Sequence, residues 1–119
     1  MNVRELGNRI EGFDYDMGFA YCGEDDSLFE EMLADYSEEG KDVILNEFFD
    51  KKDWSGYGID VHALKTTSRM VGLMALGDMC EALQKAAERA DEAFINENHA
   101  DMIRTYTQCV GIIKQALSE

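Results

Sequence analysis

Not one proline occurs in the 119 residues of this chain, and that absence constrains the fold more than any other single feature. Without the residue that most often breaks a helix or a strand interior, the architecture is decided by where apolar side chains recur. Almost no stretch alternates apolar and polar residues strictly, as a half-buried strand would, whereas apolar positions step by three and four along most of the chain. Together these patterns predict an all-α protein. The length allows one domain with one core, and hydrophobic residues at 45% are enough to build it.

The order of the helices follows from caps and stripes. Residues 1–24 read as short lead-in helices, with Asn2 as an N-cap three residues before Glu5, and a second helix from near Asp16 to Gly23, its Phe19 and Cys22 turned toward the core. Asp25 or Asp26 then caps a long helix whose core stripe is Phe29, Met32, Leu33, Tyr36, Val43, Ile44 and Phe48. Gly40 is expected to kink or break it, and Lys51 and Lys52 suit its C-terminal end. Asp53 caps the next helix, which runs to Val71 with Trp54 and Tyr57 as core anchors, and Gly72 lets the chain reverse.

A helix over about 74–90 follows, with Leu76, Met79, Cys80, Leu83, Ala87 and Ala90 along one stripe and small alanines that allow close packing. Polar residues interrupt the pattern from 91 to 98, leaving Phe94 and Ile95 tucked under a turn. A last helix over about 98–117 turns Met102, Tyr106, Cys109, Ile113 and Leu117 inward. Residues 25–117 therefore predict an antiparallel, up-and-down four-helix bundle.

Charge and cysteine content exclude several functions. A net charge of −14, from 25 acidic against 11 basic residues, repels phosphate backbones and anionic membranes, so neither nucleic-acid binding nor membrane insertion is expected. No apolar run approaches the ~18 residues a bilayer span needs. Cys22, Cys80 and Cys109 are odd in number and far apart, which points to reduced, mostly buried thiols in a cytoplasmic protein. No Cys/His cluster of metal-ligand spacing, nucleophile elbow or Gly-rich phosphate loop is present.

On such an acidic chain, the helix from 61 to 72 stands out. At ~100° per residue, Leu64, Thr67, Ser68 and Val71 gather on one side, and His62, Lys65, Thr66 and Arg69 occupy the opposite, solvent-facing arc. If the chain reverses around Gly72, His62 lies about ten residues before the turn and Gln84 about ten after it, at similar height on adjacent helices. Gln84 is thus placed to orient the imidazole. His99, by contrast, falls in the first turn of the expected last helix and is read as solvated.

The pattern His62-x-Leu64-Lys65-x-x-Ser68-x-x-Val71-Gly72, followed by Leu83-Gln84, resembles the signature of histidine-containing phosphotransfer domains, the intermediate carriers of two-component phosphorelays. The resemblance extends over nearly the whole chain. It implies a monomeric phosphocarrier, not an enzyme, in which His62 accepts a phosphoryl group from a receiver-domain aspartate and passes it to another receiver. Lys65 would stabilise the phosphoryl group and Gln84 would orient the ring. Arg69, Gly72 and Gly77 would belong to the receiver-docking surface, with Ala63, Thr66 and Met70 as its apolar flank. The partners implied are response-regulator receivers, including that of a hybrid histidine kinase, and the Mg²⁺ resides on the receiver, so that no cofactor is bound by this chain. Two departures stand out: Thr66 occupies the place of the family's glycine after the lysine, and Glu88 that of a frequent basic residue a turn after Gln84. The alternatives are a receiver-binding module that is never phosphorylated and a plain structural bundle.

Overall fold

The computed structural model describes all residues, 1–119, and is helical throughout, with six α-helices behind a short 3-10 helix at Val3–Asn8. They are α1 (Tyr15–Tyr21), α2 (Asp26–Ser37), α3 (Lys41–Asp50), α4 (Trp54–Met70), α5 (Met74–Glu88) and α6 (Glu92–Leu117). Five of the six begin at an aspartate or glycine, and each of the four aspartates, Asp14, Asp25, Asp53 and Asp91, accepts a hydrogen bond from a backbone N–H of the first turn. The packed helices enclose one core, in which Phe29, Leu33, Leu45, Tyr57, Val61, Leu64, Leu83 and Ile113 are fully buried. No helix is long and apolar enough to cross a membrane.

The stretch from 26 to 52 is broken at Gly40 into two helices, α2 and α3, and its core stripe does not continue through the break. Gly40 adopts φ +63°, a left-handed conformation that glycine alone enters without cost, and so ends the first register and begins a second. The new phase turns Leu45 fully inward and leaves Val43 60% and Ile44 39% exposed. Those two residues do not belong to the core stripe. The break leaves α2, α4, α5 and α6 as the long packed elements, with α3 lying against α4.

The last helix also departs from expectation. Capped by the Asp91 carboxylate, which accepts from the Phe94 N–H, α6 starts at Glu92 and includes Phe94 and Ile95 in its first turns. Ala90 lies beyond the end of α5, exposed, at φ +51°. The earlier start puts His99 two turns inside the helix, in phase with Ile95, Met102 and Tyr106. His99 is therefore buried, only 4% exposed, and not solvated.

Both nitrogens of the His99 ring are engaged. Asn46 Oδ1 can only accept, so the imidazole donates to it from Nε2 at 2.8 Å, and Tyr57 donates its hydroxyl to Nδ1 at 2.9 Å. The ring also stacks on Phe49, centroids 4.1 Å apart. Burial lowers its pKa from the ordinary 6.5, against an opposing effect of the Asp50 carboxylate. The unfolded chain thus takes up this proton at a higher pH than the folded one, and the stability associated with neutral His99 is lost as pH falls from that value through the folded one. Urea denaturation between about pH 7 and 5 should show this loss in the natural chain and not in a His99→Gln variant. Parallel profiles would exclude His99 as its source.

Candidate functional site

The α4–α5 hairpin builds the site. Val61, Leu64 and Ser68 on α4 and Leu76, Cys80 and Leu83 on α5 form its buried seam. Ser68 is fully buried, its hydroxyl 2.7 Å from that of Tyr36 on α2, which ties the signature helix to the opposite side of the bundle. Burial in turn holds the Tyr36 phenol well above its ordinary pKa. With that face committed to the core, the helical period leaves His62 and Thr66 exposed and Ala63, Lys65, Arg69 and Met70 half-buried.

His62 Nδ1 lies 3.0 Å from Gln84 Oε1. Its Nε2 has no partner within the chain. Gln84 also donates from Nε2 to Glu88 Oε1, at 2.9 Å. The ring borders an open depression of about 630 Å³ between α4 and α5, to which Trp54, Ile59, Ala87 and Glu88 contribute. Trp54 is only half-buried: it packs edge-on against Phe49 and Tyr57 and is also part of this wall. Ile59, one turn before His62, is 72% exposed. The sequence marks it only by its spacing of three from the histidine.

The cations of this face differ in freedom. Arg69 is tied to Asp78 at 2.9 Å and Glu81 at 3.3 Å, whereas Lys65, a turn nearer to His62, pairs with no carboxylate. Thr66 donates its hydroxyl to the His62 backbone carbonyl at 3.2 Å, so its proton is engaged by its own helix. Met70 lies on a small groove with Met32, Tyr36 and Glu39, on the α2 side of α4.

Gly72 and Gly77, expected on the docking surface, are buried. Gly77 lies beneath the Arg69 side chain, whose Cγ would be 2.6 Å from a Cβ at that position. Gly72 turns the chain at φ +87°, and a Cβ there would meet the Asp14 carbonyl oxygen at 2.6 Å. On either side of it, Asp14 N–H donates to the Gly72 carbonyl and Met74 N–H to the Gly12 carbonyl. Their work is in the turn and the helix contact, because neither presents a surface to a partner.

The three cysteines are free and buried, and burial pushes the Cys80 and Cys109 thiols up to about 12 and about 11, which keeps them protonated. No three His, Cys, Asp or Glu side chains are grouped so as to hold a metal ion.

The chain matches the Hpt domain family over residues 27–118, well over half its length, and belongs to that family. Hpt domains are phosphocarriers that act with response-regulator receivers in two-component phosphorelays. No curated protein and no solved structure matches the chain.

The geometry of the turn makes a prediction for Gly72. Gly72→Ala introduces both a left-handed alanine and a clash with Asp14, and should destabilise the fold by about 2 kcal/mol or more, read as a lower urea midpoint. An unchanged midpoint would remove the turn from its role in holding α4 against α5.

Proposed function

We propose that this chain is a phosphorelay intermediate whose His62 takes a phosphoryl group from the aspartate of one receiver domain and gives it to the aspartate of another. The observation that carries this reading is the pair of unlike nitrogens on one exposed ring: Nδ1 engaged by Gln84, Nε2 open to solvent. A neutral imidazole held in that way is a nucleophile already aimed at an incoming partner.

In the proposed transfer, the Nε2 lone pair forms a bond to phosphorus as the P–O bond to the receiver's aspartate breaks, its electron pair returning to that carboxylate. The proton stays on Nδ1, and the positive charge the ring acquires faces the Gln84 carbonyl. Lys65 offsets the charge of the phosphoryl oxygens. Passing the group on reverses the step. The Mg²⁺ that assists the chemistry belongs to the receiver. Docking uses Ile59, Ala63 and Thr66 around the ring as short-range contact, with Met70 at the margin and Arg69 as a fixed, internally paired cation beside them.

Mixing the chain with a phosphorylated receiver should place acid-labile, alkali-stable label on His62. His62→Gln should abolish the label while stability stays within about 0.5 kcal/mol, as for most surface changes. A receiver that binds without labelling the chain would favour the non-phosphorylated binding module instead. Lys65→Ala should slow transfer about tenfold, or roughly 1.4 kcal/mol, within the ~1 to 4 kcal/mol available to unit charges about 4 Å apart near a protein surface. Equal rates would take Lys65 out of the reaction. Gln84→Leu should also lower the rate, less severely than loss of His62.

A further inference from the structure

We propose that Glu88 is a positioning residue: acting through Gln84, it decides which nitrogen of His62 carries the proton. This rests on the reading of His62 as the phosphoryl acceptor. A primary amide has two ends of nearly equal size and opposite hydrogen-bonding character. Gln84 is held between His62 on α4 and Glu88 one turn along α5, so its orientation selects what each neighbour meets.

The selection follows from what each group can do. The Glu88 carboxylate only accepts, so the NH₂ end of Gln84 must face it, at 2.9 Å. The carbonyl end then faces His62 Nδ1 at 3.0 Å, and because a carbonyl also only accepts, Nδ1 must carry the hydrogen. The lone pair is left on Nε2, the outward nitrogen. Turning the amide over would set its oxygen against the carboxylate and its NH₂ against Nδ1. That arrangement demands the other tautomer, in which Nε2 bears the hydrogen and has no lone pair for phosphorus.

The same chain of bonds acts during transfer. As Nε2 bonds to phosphorus and the electron pair of the broken P–O bond leaves with the receiver's aspartate, the ring becomes cationic and its Nδ1–H a stronger donor. The carboxylate polarises the amide so that its carbonyl accepts that bond better. Glu88 itself forms no bond to the phosphoryl group and gives up no proton.

The test reads the tautomer directly. In the ¹⁵N-labelled full chain at about pH 8, where imidazoles are neutral, the His62 shifts should report a protonated Nδ1. Glu88→Ala should shift them toward a mixture of the two tautomers. Glu88→Gln, whose carbonyl can still accept, should keep most of the original state. Transfer from a phosphorylated receiver should fall about tenfold in Glu88→Ala and be largely restored in Glu88→Gln. Adding Glu88→Ala to Gln84→Leu should cause no further loss, since the effect runs through the amide. Nε2-protonated His62 in the natural chain, unaltered shifts in Glu88→Ala, or losses that multiply in the double variant would each overturn the proposal. The shifts need no partner, so a chain that never takes up label refutes the transfer reading while the tautomer still decides the role of Glu88.

Discussion

The contact on which the rest depends is the packing of α4 against α5 around the turn at Gly72. An imidazole on an isolated helix would be free to spin and to exchange tautomers. What holds this one is a neighbour on the next helix, at a height fixed by the turn and by the buried seam of Val61, Leu64, Leu76 and Leu83. A slip of one residue in that seam would rotate Gln84 by about 100° away from the ring. The register therefore sets the His62–Gln84 contact as well as stability, and it is reinforced from outside the hairpin. Asp14 and Gly12, in the segment before residue 27 that lies outside the family match, hydrogen-bond to the two sides of the turn.

How much of this can be read from the chain beforehand depends on whether the deciding interactions are local. The reversal at Gly72 and the height of Gln84 follow from counting residues away from a glycine, because two straight helices joined by a tight turn keep equal rise. The cap at Asp53 is equally local. The break at Gly40 is visible as a weak point, but its consequence is not: φ +63° resets the helical phase, and a stripe counted straight through the glycine puts Val43 and Ile44 inside when Leu45 is the residue that goes there. Similarly, the polar run from 91 to 98 hides a helix, since Asp91 caps it and its exposed face is simply polar. Continued upstream, the spacing of Met102, Tyr106, Cys109 and Ile113 reaches His99 and Ile95 in steps of three and four, which is the signal that places His99 in the core. The burial of Gly72 and Gly77 was hidden for another reason, since it depends on the distant Asp14 and on how the Arg69 side chain folds across α5.

The two histidines show how the same side chain is directed to opposite ends. His99 has both nitrogens satisfied, a ring stacked on Phe49, and a pKa lowered by burial, so the bundle favours its neutral form. His62 has one nitrogen satisfied and the other exposed. The difference lies in the number of partners the bundle supplies. Two partners satisfy the whole His99 ring, and one partner leaves a His62 nitrogen unengaged with a defined direction.

Charge places a further demand on any partner. The chain carries a net −14, and a phosphoryl group is itself anionic, so the overall field of the chain does not attract that group. At physiological salt that repulsion fades beyond a Debye length of about 8 Å, and recognition is left to short-range terms. The face around His62 is built accordingly. Arg69 is neutralised by Asp78 and Glu81, Ile59 stands out into solvent, and Lys65 is left without a carboxylate to satisfy it. An unpaired cation beside an open imidazole gains little in the free protein. In the proposed transfer, its favourable interaction awaits a dianionic phosphoryl group, which would make the site more complementary to the charge in transit than to either resting partner.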